Sequence, residues 1–146
     1  SMVSTVLTIE QAITRYGVDI DEHLDRQATI PVHDGLQCQG DVAVVPQAMT
    51  RRHHLHPATT PVPSAGVPVV RGEAGGNTHL LLGQGDVFWD GHTGGPTDLR
   101  LGTLTVATGA VAYLAHPEHA YAGIAPGTYE VRRQREQADE IRIVAD

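Results

Sequence analysis

The chain has 146 residues, a length that suits one domain with its own hydrophobic core. Its 17 acidic side chains outnumber its 10 basic ones, and the formal net charge of −7 argues against a nucleic-acid partner. No apolar run reaches the roughly 20 residues of a membrane helix and no signal peptide is recognisable, so no membrane partner is expected. The single cysteine, Cys38, allows no internal disulfide and suits a cytoplasmic location.

The N-terminal region carries helical signals. In TIEQAITRYG (residues 8–17), Thr8 and Gln11 have the spacing of a capping box, and apolar residues follow at helical intervals. The next segment, VDIDEHLDRQ (18–27), favours a second short helix or a single helical turn. We therefore predict a helical extension over residues 1–35.

From residue 36 the pattern changes to short apolar runs punctuated by glycine and proline. Such runs predict a mainly β fold, a single small β-sandwich or barrel, over residues 36–146. The predicted strands lie at 40–46, 67–74, 99–108, 110–116, 128–136 and 141–145, with two more inside 78–91. Gly102 interrupts the alternation and predicts a β-bulge. The tetrapeptide QGDV precedes two strands, at 39–42 and 84–87, and indicates a turn in both places.

A proline-rich arm lies between the first two predicted strands. Residues 51–68, RRHHLHPATTPVPSAGVP, contain four prolines, which exclude a helix and favour extended backbone. The arm is either an open loop or a segment that rests on a neighbouring subunit. Its RRHHLH tract places His54 and His56 on one face of an extended chain, where they could capture a metal ion adventitiously.

The segment LAHPEHA (114–120) is the strongest candidate for chemistry. Pro117 and Glu118 suit the central positions of a type I turn, which leaves His116 and His119 at the outer positions. Their α-carbons would then lie within about 7 Å of each other, so two imidazoles come close together. Such a pair suits zinc, nickel, copper or iron. The alternative is a polar hairpin tip whose histidines are solvated or bonded to backbone.

Further ligands are expected from the glycine stretch GEAGGNTHLLLG, because a catalytic zinc site needs about three protein ligands. The predicted set for a divalent transition metal (zinc, nickel or iron) is His79, His116, His119, Glu118 and Glu73. His79 can equally be a turn or interface residue ahead of a strand. A separation above about 10 Å between His79 and His116 would exclude shared coordination, because Zn–N bonds are only about 2.0–2.1 Å long.

The charged segment TYEVRRQRE (128–136) leaves three interpretations open: a charged edge strand, a subunit interface crossed by Arg–Glu pairs, and an anion or phosphate site. The interface interpretation predicts a homo-oligomer or a protein partner. It assigns the contacts to Arg132, Arg133, Arg135 and Glu136.

Three stretches together resemble a family of small uncharacterised proteins found in actinobacteria, in other bacteria and in phage-associated contexts. They are GEAGGNTH (72–79), HPEHA (116–120) and APGTYEVRRQRE (125–136). QGDV at 39–42 resembles the usual opening of that family, and the resemblance spans roughly residues 37–146. It implies no established activity.

The family pattern often has G-H-x-H in the glycine stretch, where this chain has Asn77 and His79. One imidazole ligand would then be missing. The histidine spacing is nevertheless similar to that of cupins, which are metal-binding β-barrels.

Two functional hypotheses follow. The first is a noncatalytic β domain that self-associates or binds a protein partner, because no complete set of catalytic residues is recognisable. The second is a histidine-based, cupin-like metal-binding domain, which could be a metal-dependent enzyme. Neither hypothesis assigns a catalytic residue.

Overall fold

A computed structural model describes residues 6–20, 26–51, 54–70, 78–94 and 98–134. This part of the chain forms one α-helix, one 3₁₀ helix (Gln47–Met49) and ten β-strands, which make two five-stranded sheets. Buried side chains from both sheets pack into one core. The prediction of a mainly β fold is confirmed, and the arrangement is a two-sheet sandwich because neither sheet closes into a barrel.

Sheet one carries the central strand β8. Its members are β1 (Val32–His33), β4 (Val67–Pro68), β5 (Leu80–Gln84), β8 (Val111–His116) and β9 (Ala120–Ile124). Their order is β1-β9-β8-β5-β4, and all neighbours are antiparallel except β1, which runs parallel to β9. Every residue of β8 is buried, because both faces of the strand are covered.

Sheet two is entirely antiparallel. Its members are β2 (Gln37–Gln39), β3 (Val42–Pro46), β6 (Val87–Gly91), β7 (Arg100–Val106) and β10 (Gly127–Arg133). Their order is β2-β3-β10-β7-β6.

The helix α1 (Ile9–Tyr16) begins and ends where the sequence predicts. Thr8 Oγ1 accepts a hydrogen bond from Gln11 N at 3.1 Å, and Gln11 Oε1 accepts one from Thr8 N at 2.9 Å. The predicted capping box is therefore confirmed. Gly17 ends the helix with φ 79°, the left-handed value typical of a C-terminal cap.

The helix covers the outer face of sheet one. Ile9 and Ala12 are buried and pack with Tyr113, which points outwards from β8. The second predicted helix is not formed at residues 18–20, and residues 21–25 lie outside the described part of the chain. The N-terminal segment therefore serves as the cover that sheet one needs to bury its second face.

β10 lies in the middle of sheet two, between β3 and β7. The interpretation of this charged strand as a sheet edge is therefore wrong. Tyr129 and Val131 point into the core, whereas the intervening Glu130 and Arg132 lie on the outer face. A central strand can carry these charges because only one of its two faces contributes to the core.

Gly102 in β7 lies at the predicted β-bulge. The register with β10 shifts between Val131 and Arg132, opposite Gly102, so the bulge is confirmed. A β-carbon on Gly102 would come within 2.5 Å of the Trp89 ring. Glycine is therefore required for the indole to lie across the bulge.

The proline-rich arm pairs with the edge of its own sheet two. Val62 N donates to Val87 O at 2.9 Å, and Trp89 N donates to Thr60 O at 2.8 Å. Asp90 accepts a further hydrogen bond from Thr60 N at 3.1 Å. These contacts cover the exposed edge of β6, which protects it against pairing with another chain. This part of the arm thus rests on its own chain and is not an open loop.

The two QGDV tetrapeptides both form turns, as predicted, but they connect different partners. In the first, Gly40 has φ 58° in the two-residue loop of the β2–β3 hairpin, where Gln39 pairs with Val42. In the second, Gly85 has φ 86° and the chain passes from β5 in sheet one to β6 in sheet two. Whether the turn makes a hairpin is decided by the pairing partners of the flanking strands.

The sequence patterns do not predict β1, β2 or β9. β1 and β2 have two and three residues, too few to show alternation. β9 is rich in alanine and glycine, which have low strand propensity. Of the predicted strand 67–74, Val67–Pro68 is formed, and residues 71–77 lie outside the described part, as does the predicted strand 141–145.

Candidate metal centre

Two buried histidines meet at one end of the sandwich. His116 is the last residue of β8, and His79 immediately precedes β5. Leu80 pairs with Ala115, so extending this antiparallel register by one residue places His79 opposite His116. Their ring centres lie 4.5 Å apart. This separation is well within the limit of about 10 Å for shared coordination.

The third histidine comes from the turn between β8 and β9. His119 N donates to His116 O at 3.1 Å, which closes the predicted β-turn around Pro117 and Glu118. Ala120 follows with φ 67°, the only positive φ of a non-glycine residue in the described part of the chain. A left-handed alanine is strained, so backbone strain lies directly beside the histidines.

His79, His116 and His119 form the histidine cluster. The ring centre of His119 lies 4.7 Å from that of His116 and 6.0 Å from that of His79. One nitrogen of each ring lies within 4.8 Å of the other two. In a tetrahedral zinc site the nitrogens lie about 3.4 Å apart, so modest ring rotations would bring these atoms into coordination. His79 and His116 are 2% and 4% exposed, whereas His119 is exposed, so the cluster opens to solvent on one side.

The end of β2 in sheet two lies against the histidine cluster. The Nε2 of buried Gln39 donates to Leu114 O at 2.9 Å and to Ala120 O at 3.1 Å, which ties β2 to the β8–β9 hairpin. Gln39 Oε1 is buried and has no hydrogen-bond partner among the described residues. A β-carbon on the next residue, Gly40, would come 2.8 Å from His119 Nε2. The sequence predicts a turn at QGDV but not its close contact with the histidine cluster. Gly40 was the only residue in the sequence that could have indicated this contact.

Hydrogen bonds indicate which ring nitrogen carries the proton in each of the two buried histidines. His79 Nε2 lies 3.2 Å from Gln39 O. Because a carbonyl oxygen only accepts, this nitrogen donates, and Nδ1 of the neutral ring carries the lone pair. In His116 the pattern is reversed: Nδ1 accepts from Glu118 N at 3.1 Å, so the neutral ring carries its proton on Nε2.

Of the remaining predicted ligands, the structure describes Glu118, which does not supply its carboxylate to the cluster. Glu118 contributes its backbone amide to His116, and its carboxylate is not part of the group of close ligand atoms. Glu73 lies outside the described residues. His54 and His56 are exposed and belong to no group of three close metal-binding side chains in the described part of the chain.

Of the predicted interface residues, the structure describes Arg132 and Arg133. Arg132 is on the outer face of sheet two, and its Nη1 is 3.2 Å from Glu130 Oε2 on the same strand. Arg133 is half-buried, and its backbone N donates to Leu99 O at 2.7 Å. Arg135 and Glu136 lie outside the described residues.

The fold and the cluster define the class of this protein, a two-sheet β-sandwich with three histidines that could hold a metal ion. Residues 38–134 match the family described as Domain of unknown function (DUF8820), and the chain belongs to that family. The expectation of an uncharacterised family is confirmed, and the matched region contains the whole histidine cluster. No curated protein and no solved structure matches the chain. Among the described residues, no helix has the length and apolar character needed to span a membrane.

Proposed function

We propose that this domain binds a divalent transition metal ion, zinc, nickel or iron, through His79, His116 and His119. The proposal rests on the convergence of three imidazole nitrogens within 4.8 Å of one another. Imidazole suits all three metals, and three protein ligands leave a further position for water or another ligand. The exposed ring of His119 provides the side from which an ion can enter.

The hydrogen bond of His79 supports this proposal. Histidines that bind metals almost always donate their other ring N–H to a carbonyl or carboxylate, which fixes the ring and its tautomer. The Nε2 of His79 already donates to Gln39 O, which holds the ring in place beside the other two histidines. Gln39 is itself held by two hydrogen bonds through its side chain, so this support is firm.

His116 must change its hydrogen bonding when it binds a metal. Coordination through Nδ1 displaces the Glu118 amide, which now donates to that atom. Coordination through Nε2 moves the ring proton to Nδ1 and ends the same hydrogen bond. Metal binding therefore releases the amide of Glu118 in either case, and its NMR signal is a local reporter of binding through His116.

Calorimetric titration of tag-free protein with zinc and nickel chloride tests the proposal. We expect one ion per chain and a shift of the Glu118 amide signal. His119→Ala removes one ligand from an exposed position and should weaken affinity at least about tenfold. His56→Ala is the matched control, because His56 is also exposed but lies outside the cluster. Absence of binding, or equal loss in both variants, would overturn the proposal.

The competing proposal is a noncatalytic domain that self-associates or binds a protein partner. Two features that favoured it are used within a single chain: the arm pairs with β6, and Arg132 pairs with Glu130. It therefore has less support than metal binding. A monomer in light scattering at micromolar concentration would count against self-association.

A further inference from the structure

The chain contains the dipeptide Asp-Gly twice, in two different structural environments. The first, residues 34–35, connects β1 to β2, and the second, residues 90–91, ends strand β6. The backbone nitrogen that follows an aspartate can attack its side-chain carboxyl carbon, and glycine favours this attack because it has no β-carbon to hinder the approach. Since the two dipeptides have the same local sequence, a difference in their reactivity must come from the fold.

The first dipeptide leaves both reacting groups free. It lies where the chain crosses from sheet one to sheet two, outside both strands. The exposed carboxylate of Asp34 has no hydrogen bond or ion pair with the described residues, and the backbone nitrogen of Gly35 has no hydrogen-bond partner among them. A β-carbon on Gly35 would meet nothing within 4 Å, so the space around the reacting atoms is open. The two groups can therefore reach the close approach of about 3–3.5 Å that such a reaction needs.

The second dipeptide is held away from this reaction. Oδ2 of Asp90 accepts a hydrogen bond from Thr59 N at 3.1 Å, and Oδ1 accepts one from Thr60 N at 3.1 Å. Both residues of the dipeptide pair with β7, which keeps their backbone extended. Because the carboxyl group and the backbone are both fixed, Asp90 should react far more slowly than Asp34.

We propose that Asp34 is a site of spontaneous covalent modification, at which aspartate isomerises to isoaspartate through a cyclic imide. The nitrogen of Gly35 forms a bond to Cγ of Asp34, and the carboxyl group releases a hydroxyl that leaves with the amide proton as one water molecule. Water then adds back to the imide. Breaking the bond between the nitrogen and Cγ restores aspartate, whereas breaking the bond between the nitrogen and the main-chain carbonyl carbon gives isoaspartate. The net reaction conserves every atom and needs no reactant other than water.

The modification lengthens the connection between the two sheets. In isoaspartate the main chain runs through Cβ and Cγ of residue 34, which adds one atom to the backbone. On one side of this position β1 pairs with β9, and on the other side Gln37 Nε2 donates to Gly123 O of β9 at 3.0 Å. The family match begins at residue 38, so the change falls at the junction between the N-terminal segment and the matched domain.

Incubation of the full chain in H₂¹⁸O at neutral pH tests the proposal, because every hydrolysis of the imide adds one labelled oxygen to the residue that reacted. The protein is then digested with trypsin in ordinary water, and electron-transfer fragmentation locates both the label and the isoaspartate. We expect both at Asp34, in the peptide 27–51, and at least about tenfold less at Asp90, in the peptide 72–100. In the chain unfolded by guanidinium chloride, the two dipeptides should react at similar rates.

Gly35→Ala should reduce the labelling of Asp34 several-fold, because the new β-carbon hinders the nitrogen while meeting no other atom within 4 Å. Gly91→Ala is the matched control, because it makes the same change in the second dipeptide, where the β-carbon meets only Trp89 Nε1, at 3.6 Å. This control should label Asp34 like the wild type.

Three results would each overturn the proposal. They are the absence of label at Asp34 in the folded protein, equal labelling of Asp34 and Asp90 in the folded protein, and labelling of Asp34 that Gly35→Ala does not reduce below that of the control. None of these outcomes depends on metal binding by the histidine cluster.

Discussion

Replacing Gly40 with alanine tests whether the β2–β3 turn makes room for the histidine cluster. The new β-carbon would lie 2.8 Å from His119 Nε2 and 3.3 Å from His79 Nε2. Favourable contacts between heavy atoms lie at about 3.5–4.0 Å, so at least one ring must move. His79 is buried and bonded to Gln39 O, whereas His119 is exposed. We therefore expect the ring of His119 to leave the cluster.

Gly17→Ala separates this effect from a general loss of stability. Gly40 and Gly17 have φ 58° and 79°, so alanine is strained at both positions. The strain is about 1–2 kcal/mol, offset in part by about 0.4–1 kcal/mol from a less flexible unfolded chain. A β-carbon on Gly17 meets nothing within 4 Å. Both variants should lose about 1 kcal/mol of the free energy of unfolding, which thermal denaturation will show.

The two variants should differ in nickel binding measured by calorimetry. Gly40→Ala should bind about 10–100-fold more weakly than wild type, the range seen when groups that support a metal site are disturbed. Gly17→Ala should keep the wild-type affinity. If Gly40→Ala also binds nickel like the wild type, the turn does not need a glycine to make room for the histidine cluster, and this prediction is refuted. Equal weakening in both variants would also contradict it.

Two further predictions concern stability. Ala120→Gly removes the backbone strain at φ 67° and should raise the free energy of unfolding by up to about 1 kcal/mol. The relief of strain is expected to exceed the additional conformational entropy that glycine loses on folding. An unchanged or lower melting temperature would contradict this prediction. Burial raises the pKa of Tyr121 to about 12, and its hydroxyl donates a hydrogen bond to Val18 O. An unfolded tyrosine ionises near pH 10, so the contribution of neutral Tyr121 is present below about pH 10 and is lost as the pH rises towards 12. At about pH 11 the wild type should have lost about 1 kcal/mol of its free energy of unfolding. Between about pH 9 and 11, chemical denaturation should show a smaller loss for Tyr121→Phe than for the wild type. An equal loss in both proteins would show that Tyr121 does not titrate in this way.

Elements with strong local signals are predictable from this sequence. The capping pattern of Thr8 and Gln11 places the first helix almost to the residue, because a helix end is stabilised by groups three residues apart. Gly102 correctly predicts the bulge, since the alternation breaks at that residue. Very short strands are not predictable in this way, because they contain too few residues to show alternation. β1 has two residues and is held by its parallel partner β9.

The candidate site likewise has one part that local sequence signals predict and one part that they do not. His116 and His119 are brought together by one turn, whose residues Pro117 and Glu118 predict it directly. The approach of His79 depends instead on the register between β5 and β8.

Composition, turn residues and the alternation of apolar side chains thus determined the mainly β class, the first helix and the local histidine pair. These signals act between residues a few positions apart. The tertiary structure alone decided that β10 is central, that the arm covers β6, and that Gln39 and Gly40 lie beneath the histidines. Strand order and register depend on which apolar faces fit together in the core, and many pairings are compatible with the same local pattern.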